Sequence, residues 1–432
     1  MTDRNHKTYY PEDRLPLARL IPLGMQHVVA MFGATVLAPI LMGFNPQVAL
    51  FFSGVGTLVF IFITDFKVPS YLGSSFAFIG PVLAVTAGDP ARIPEALFGI
   101  AAAAVLYALA GAATLRWGSR WIDRLMPPIV TGTVVAIIGL NLASSAVGNA
   151  LNAEFALDDM GDLLRLSVAV TTFLTAALVS IHGRGLLRLL PILTGVIAGY
   201  ALSAATGILD PGILQELREA PWLGLPPFQS PVYSLRALFV IAPVFVVLVA
   251  ENKGHIEAIS GFMKRDLNPH LGRAYLGDAC ASFISALGGG TPQTTYAENM
   301  GVMAITRVFS TWNFVAAACM AILLGLCPKF GALIQSIPSP VLGGVTLILY
   351  GLIALMGVRI WMDAGVDFHD HRNLVVAGTS LIAATGLGVK GVTVAGVNIA
   401  GIAFGTLLAL ALNFLLSVGV PRDPQDCRTE RP

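Results

Sequence analysis

Long apolar stretches recur along this chain, and residues 28–44, 46–64 and 96–115 contain no charged side chain. About 20 consecutive apolar residues in a helix span the hydrocarbon core of a bilayer. The pattern therefore predicts an all-α polytopic membrane protein. Fourteen membrane segments are predicted near residues 20–43, 46–64, 70–87, 94–115, 127–148, 163–182, 189–209, 233–261, 273–288, 291–306, 311–327, 339–357, 373–389 and 393–418.

Two of these segments carry glycine, proline and hydroxyl residues at the depth of the membrane. They are Gly73–Pro81 and Gly288–Asn299, and Phe76 and Glu298 within them lie 222 positions apart, close to half of the chain. Irregular backbone persists in a membrane only where protein or a cavity covers it. Paired interruptions in two halves of a chain indicate an inverted repeat around a central binding site. A plain helical hairpin with a glycine-rich turn is the simpler alternative.

Residues of the second interruption alternate in character. Thr294, Tyr296 and Glu298 would share one side of an extended segment. We predict a short strand here, followed by a helix that begins near Asn299. The first turn of such a helix leaves backbone N–H groups free to bind a ligand.

Composition and charge support a membrane protein. The chain is 55% hydrophobic and 12% charged, whereas a soluble domain carries about 25% charged residues. If the N-terminus is cytoplasmic, nineteen of the 26 Lys and Arg residues fall in cytoplasmic loops and six outside, the asymmetry that membrane proteins show. We therefore expect a multi-pass protein of the cytoplasmic membrane with both termini in the cytoplasm. The net charge of +1 indicates no nucleic-acid partner.

The sequence contains little that indicates a metal site or an enzyme active site. The four cysteines fit no zinc spacing. No nucleophile elbow, metal triad or phosphate loop appears within the predicted spans. We therefore expect no metal, no cofactor and no enzymatic activity.

Ionisable residues inside the predicted spans are the main functional candidates. Glu251 and His255 are four positions apart in the eighth span and share a helix face. Asp278 lies in the ninth span and Glu298 in the tenth. An ionised group at a helix centre costs about 2.5–3.5 kcal/mol, so these side chains should face a cavity or a partner, where they can exchange protons. The alternative is a structural hydrogen-bond network, and for Asp278 the two interpretations stay open.

Other polar residues in the spans receive structural interpretations. Lys253 points away from Glu251, and we expect it to pair with a neighbouring carboxylate rather than touch a ligand. Gln26 and His27 either stabilise a broken helix or approach the site. Tyr350 fits a packed aromatic residue with a satisfied hydroxyl group.

A planar polar ligand would suit this set of groups. Phe76 offers a stacking face, a carboxylate accepts two N–H bonds, and backbone N–H groups bind carbonyl oxygens. From the residues alone, the ligand is a small polar solute, either planar or anionic.

The run TPQTTYAENMGVMAITR at 291–307 resembles the signature of the nucleobase–ascorbate transporter family, and within it the bacterial uracil and pyrimidine permeases. Supporting runs occur in the family's order: Gln26-His27, GSSFAFIGP, AENKGHIEA and GGVTLILY. The resemblance implies two inverted repeats of seven segments, with short strands in broken segments 3 and 10. It also implies movement of a core domain against a gate domain in an elevator-like manner, and a homodimer formed through the gate within the lipid membrane. The core would be residues 1–126 and 232–337, and the gate residues 127–231 and 338–432.

Site residues are carried over from the same resemblance. Glu251 and Glu298 match the substrate-binding carboxylates, and Phe76 matches the stacking aromatic residue. Ala297 matches a position whose backbone N–H binds substrate, although glycine is familiar there and the added methyl group could narrow the pocket. The substrate-binding set is completed by Ser75, Tyr296 and Tyr350. The proton-coupling set is His255, Glu251 and Asp278.

Uracil–proton symport is the function that the resemblance implies, with protons as the coupling ion. A purine permease for xanthine or uric acid is the alternative within the family, although purine-selective relatives tend to have Gln where Glu298 stands. Sulfate and bicarbonate carriers share the fold, but an anion would sit poorly between Glu251 and Glu298. A channel or a membrane enzyme is the alternative from another class.

Overall fold

The computed structural model describes residues 8–151, 159–184, 187, 190–389, 391–394 and 397–417. Within these residues, seven helices are long and apolar enough to cross a membrane. Two further helix pairs pass the same test together but bend by 117° and 83° at their breaks, and two apolar helices are shorter. The chain is therefore a multi-pass helical membrane protein.

The described residues contain nineteen α-helices and four short strands, together with short 3-10 turns. The helices are α1 (Leu17–Met42), α2 (Pro46–Ile63), α3 (Ile79–Thr86), α4 (Ile93–Trp117), α5 (Arg120–Leu125), α6 (Pro128–Asn141), α7 (Ala143–Ala150), α8 (Met160–His182), α9 (Pro191–Thr206), α10 (Pro211–Glu219), α11 (Leu235–Ile241), α12 (Phe245–Met263), α13 (Leu271–Leu287), α14 (Ala297–Thr306), α15 (Thr311–Gly325), α16 (Pro328–Gln335), α17 (Ser339–Asp363), α18 (His371–Leu387) and α19 (Gly401–Ser417). The strands are β1 (Leu72–Ser74), β2 (Gln293–Thr295), β3 (Val392–Val394) and β4 (Val397–Ile399).

Helix boundaries follow local capping chemistry. The Asn45 side chain accepts the backbone N–H of Gln47 at 2.8 Å, and Pro46 occupies the first position of α2, where a missing N–H costs nothing. Asp370 caps α18 in the same way, through the N–H of Arg372. Helix α1 ends at Gly43, whose φ of +80° is the left-handed conformation that glycine adopts without strain.

The two broken segments meet as paired strands. β1 and β2 are antiparallel, with Gly73 opposite Thr294. A 3-10 turn at Phe76–Phe78 leads from β1 into α3, and α14 begins at Ala297, directly after β2 and Tyr296. The predicted strand followed by a helix is confirmed, with the helix beginning two residues before Asn299.

Side chains of neighbouring helices form hydrogen bonds with the backbone along the outer edges of this strand pair. The Leu72 N–H donates to the Thr57 hydroxyl of α2 at 2.9 Å. On the other edge, the Gln293 N–H donates to the Ser282 hydroxyl of α13 at 2.9 Å. These bonds explain why a two-stranded sheet can persist within a helical membrane protein, since an unpaired backbone group in hydrocarbon costs several kcal/mol.

Small residues bring the main helices close together. Gly54 of α2 lies against the backbone of Ala318 in α15, and Gly111 of α4 lies against Gly272 in α13. In a separate set of helices, Gly132 of α6 faces Gly357 of α17. Such contacts are typical of helix packing in membranes, where close backbone approach replaces the hydrophobic driving force.

Several elements differ from the sequence-based expectation. The predicted last segment, 393–418, is not a helix throughout, because β3 and β4 pair as an antiparallel hairpin and α19 begins only at Gly401. The β-branched residues of Val392–Val394 and the positive φ of Gly391 favour this hairpin. The short helices α5, α10 and α16 were not predicted, because none is long enough to span a membrane.

Charged groups expected on the cytoplasmic side gather at one end of the described structure. Tyr9 forms a parallel β-bridge with Val308. Glu12 pairs with Arg265 at 2.7 Å, and the hydrogen bond from this guanidinium lowers the pKa of the Glu12 carboxyl group. At the same end, Arg273 pairs with Asp65. The N-terminal segment therefore ties the end of α12 to the junction of α14 and α15.

Candidate functional site

A cavity of about 570 Å³ opens between α12 and α14 on one side and α6 and α17 on the other. Its inner end is a narrow recess beside the strand pair, and Glu251, His255 and Ala297 line both the cavity and the recess. The opposite wall of the recess is apolar. It consists of Val135, Ile138, Ile353 and Met356.

Two carboxyl groups face the recess from different elements. Glu251 lies on α12, and Glu298 lies in the first turn of α14. Glu251 Oε2 is buried and has no hydrogen-bond partner among the described residues. Glu298 stands where a helix N-terminus carries a partial positive charge, which favours an anionic side chain. The recess therefore presents hydrogen-bond acceptors beside the first turn of α14, whose backbone N–H groups have no partner within the helix.

His255 lies one helical turn from Glu251, as its spacing predicted. Its Nδ1 atom is 2.8 Å from the Thr295 hydroxyl of β2. This contact fixes the imidazole ring between α12 and the strand. The other ring nitrogen is not engaged by a protein partner among the hydrogen bonds of the described residues, and His255 lines the cavity. The ring therefore lies between the recess and the wider cavity.

The aromatic residues divide into two roles. Phe76 lines the recess and has its ring perpendicular to that of Tyr350, with centroids 6.0 Å apart. Tyr350 therefore supports Phe76 from behind, and its hydroxyl group is buried with no partner in the described structure. The expectation of a satisfied hydroxyl is wrong for Tyr350. Tyr296 also lines the recess, but its hydroxyl group donates to the Ser74 carbonyl at 3.1 Å and so holds the strands together.

Ser75 and Ala297 sit at the starts of the two half-helices. The Ser75 N–H donates to the Pro292 carbonyl at 2.9 Å, which extends the strand pairing. The Ser75 hydroxyl is buried and makes no hydrogen bond within the described residues. Ala297 is the first residue of α14 and lines the recess. Its methyl group therefore narrows the recess.

Asp278 lies outside the walls of the cavity. It is fully buried in α13, where Asn252 of α12 donates to its carboxyl group and the Tyr107 hydroxyl of α4 approaches at 3.5 Å. The resemblance grouped Asp278 with the proton-coupling residues, while its position in the sequence left a structural network equally open. The structure places it in a hydrogen-bond network between three helices. Asn252 and Tyr107, which hold it, were not anticipated.

Two other polar residues serve the scaffold. Asn299 donates to the carbonyl of His27 at 3.1 Å, so His27 stabilises the broken segment instead of reaching the recess. Lys253 lies 3.5 Å from Glu257 and donates to the Met126 carbonyl at 3.4 Å. The expected pairing of Lys253 with a neighbouring carboxylate is confirmed. Within the described chain, no group of three or more His, Cys, Asp or Glu residues is arranged to hold a metal ion.

The structure resembles solved membrane transporters. The murine Slc26a9 anion transporter in the inward-facing state aligns with a TM-score of 0.66 at 12% identity, over 94% of this chain and 70% of that one. The transmembrane domain of a cyanobacterial bicarbonate transporter, BicA, aligns with a TM-score of 0.62 at 15% identity, over 93% of this chain and 97% of that one. At such identities the likeness establishes the fold alone.

Sequence comparison is more specific. A candidate pyrimidine permease, RutG, of Escherichia coli (strain K12) is 46% identical, over 94% of this chain and 91% of that protein. The uracil permease of Bacillus caldolyticus is 42% identical, over 96% of this chain and 95% of its own length. A family model described as the permease family, Xan_ur_permease, matches residues 18–395. The chain therefore belongs to this permease family, that of the nucleobase–ascorbate transporters.

Proposed function

We propose that this protein imports uracil, or a closely related pyrimidine nucleobase, together with protons across the cytoplasmic membrane. The single observation that carries the proposal is the pair of carboxyl groups, Glu251 and Glu298, lining one recess next to Phe76 and the start of α14. The relatives named as uracil or pyrimidine permeases support the same substrate.

The recess provides the groups that a uracil ring needs. A carboxylate at Glu298 can accept an N–H group of the base, and Glu251 offers a second acceptor. Backbone N–H groups at Ala297 and its neighbours in α14 can donate to a carbonyl oxygen. The ring of Phe76 offers a stacking face. A sulfate or bicarbonate ion would instead meet two acidic side chains, which argues against an inorganic anion as substrate.

Proton coupling would use groups that already line the cavity. Glu251 reaches the recess, and His255 lies one turn further along α12 toward the wide end of the cavity. In this proposal, a proton bound at Glu251 or His255 enters with the base and leaves to the cytoplasm. Asp278 acts through Asn252, which adjoins Glu251 on α12, and has no direct contact with the base.

Alternating access would follow from movement of a core against a gate. We propose the core as residues 1–126 and 232–337, the gate as residues 127–231 and 338–432, and fourteen spans in two inverted repeats. Within the proposed core, α4 packs with α13 and α2 packs with α15. Within the proposed gate, α6 packs with α17, and this separation supports the division. The walls of the cavity come from both proposed domains. A homodimer would form through the gate.

Uptake of labelled uracil into proteoliposomes tests the proposal directly. We expect accumulation that rises with an inward proton gradient and collapses when a protonophore removes it. Excess unlabelled uracil should compete, and excess xanthine should compete less. Uptake of xanthine in preference to uracil would replace the proposal with a purine permease. Gradient-independent, non-saturable flux would replace it with a channel.

A further inference from the structure

Charged side chains line the wide end of the cavity on both walls. Glu257 extends from α12, while Arg359 and Asp363 extend from α17. All three side chains are partly exposed, by 46%, 57% and 72% respectively. None of them belongs to the proposed substrate site, which lies at the inner end.

In this conformation, the charged side chains of each wall form ion pairs within their own helix. On α12, Glu257 lies 3.5 Å from Lys253, one turn earlier. On α17, Arg359 lies 3.5 Å from Asp363, one turn later. Lys253 is itself buried and also donates to the Met126 carbonyl, just before α6. The α12 wall is thereby held against the α5–α6 junction.

The two helices run side by side in the same direction, since Glu251 shares the recess with Met356 while Gly254 packs against Ile360. Glu257 lies three residues beyond Gly254, or about 4.5 Å further along the helix axis. It therefore lies near the level of Asp363, a like charge. A shift of α12 by one turn toward the outer side would bring Glu257 level with Arg359, an opposite charge.

We propose that Glu257 and Arg359 form an ion pair that closes the cytoplasmic mouth of the cavity when the α12 wall moves outward. In this exchange, Glu257 leaves Lys253, Arg359 leaves Asp363, and Lys253 releases the Met126 carbonyl. The within-wall pairs stabilise the open mouth, and the cross-wall pair stabilises the closed one. The inference rests on the proposed alternating access of this transporter.

Variants on the α17 wall should shift the equilibrium in opposite directions. Arg359→Gln removes the cross-wall pair and favours the open mouth. Asp363→Asn frees Arg359 from its present partner and favours the closed mouth. Exposed ion pairs of this kind change populations by about two- to fivefold. Glu12→Gln, which removes an exposed ion pair outside the cavity, should change nothing.

Cytoplasmic accessibility of the cavity provides the measurement. Gly301→Cys is a suitable reporter, because Gly301 lines the cavity and an added Cβ meets no atom within 4 Å. In inside-out vesicles, with the four native cysteines replaced by alanine, an impermeant thiol reagent should label the reporter faster in Arg359→Gln and more slowly in Asp363→Asn. Equal rates in both variants, or changes of the same sign, would overturn the proposal.

A second measurement captures the closed mouth itself. Glu257→Cys combined with Arg359→Cys should form a disulfide under mild oxidation and block labelling of Gly301→Cys until a reductant is added. Absence of this reversible block would contradict the cross-wall pair. Both assays work without uracil. A failure to transport uracil would therefore contradict the proposed function, whereas the labelling results would still test the ion pair.

Discussion

We expect substrate choice to depend on the side chain at position 298. The Glu298 carboxyl group lies in the first turn of α14 and faces the recess. As a carboxylate it only accepts hydrogen bonds, whereas Gln would place an NH₂ donor against an N–H of the base. An unpaired buried polar group costs about 1–3 kcal/mol, and 1.36 kcal/mol is tenfold in affinity. We therefore expect Glu298→Gln to weaken uracil binding by about tenfold or more.

Calorimetric titration of purified protein with uracil and xanthine would measure this effect. Glu12→Gln is the matched control, because Glu12 is an exposed carboxylate paired with Arg265 away from the cavity. The two side chains at 298 have nearly the same shape, so the variant should stay folded. Unchanged uracil affinity in the folded variant would show that Glu298 does not contact the base.

His255 should serve proton movement and not direct binding of the base. Its Nδ1 atom is held by the Thr295 hydroxyl, and its ring lies between the recess and the wide cavity. His255→Leu should therefore abolish uracil accumulation driven by a proton gradient while changing equilibrium affinity by less than about tenfold. His270→Leu, directly before α13, is the control. Accumulation that survives unchanged would assign His255 a structural role.

The sequence predicted which residues share a helix face better than it predicted what they touch. Helical spacing placed Glu251 and His255 on one side of α12, as observed. The position of Asp278 could not be read in this way, because its partners Asn252 and Tyr107 come from two other helices. The contact between Tyr350 and Phe76 could not be predicted either, because only tertiary packing brings α17 next to Phe76.

The strand pair is the element on which the recess is built. Glycine, proline and hydroxyl residues marked both broken segments, so their irregular backbone was predictable. The side chains on α2 and α13 that bond to the strand edges were not predictable, because a threonine or serine in an apolar helix usually bonds to its own backbone. The β3–β4 hairpin was missed because its valines also fit an apolar span.

Thr57 should therefore contribute to the stability of the strand pair. Its hydroxyl group accepts the buried Leu72 N–H at 2.9 Å and donates to the Ser53 carbonyl at 2.7 Å. Thr57→Val leaves that N–H unpaired, which should lower the free energy of unfolding by about 1–3 kcal/mol and weaken uracil binding. Denaturant unfolding in detergent, together with titration, would measure both.

Thr64→Val is the matched control for this prediction. Thr64 is also buried near the end of α2, but its hydroxyl group bonds only to carbonyls of its own helix, Phe60 and Ile61. Replacing that hydroxyl leaves no backbone N–H unpaired, so the cost should be small. Equal destabilisation by the two variants would mean that the Leu72 bond contributes nothing specific.

At the scale of the whole molecule, the charge count predicts one orientation in the membrane, and the structure gathers several of the counted residues at one end. The basic residues predicted to be cytoplasmic, including Arg265, Arg273 and Arg307, lie at the end where the N-terminal segment crosses α14 and α15. The charge count also predicts a cytoplasmic position for Arg359, which lines the wide mouth of the cavity. An excess of Lys and Arg on the cytoplasmic side is the strongest determinant of orientation.

This orientation predicts opposite labelling of two exposed positions. Ser230 lies in the segment between α10 and α11, and Asp266 follows α12, so helices α11 and α12 separate them. The segment with Ser230 is bound to the end of the molecule opposite Arg265, through the Val232 N–H to the Pro94 carbonyl. In cells with native cysteines replaced, Ser230→Cys should react with an impermeant thiol reagent from outside. Asp266→Cys should react only after the membrane is opened or in inside-out vesicles. Reaction of both from the same side would remove the membrane span between them and, with it, the fourteen-span topology. The reverse pattern would keep the count of spans and invert the protein, which would place the open mouth of the cavity outside.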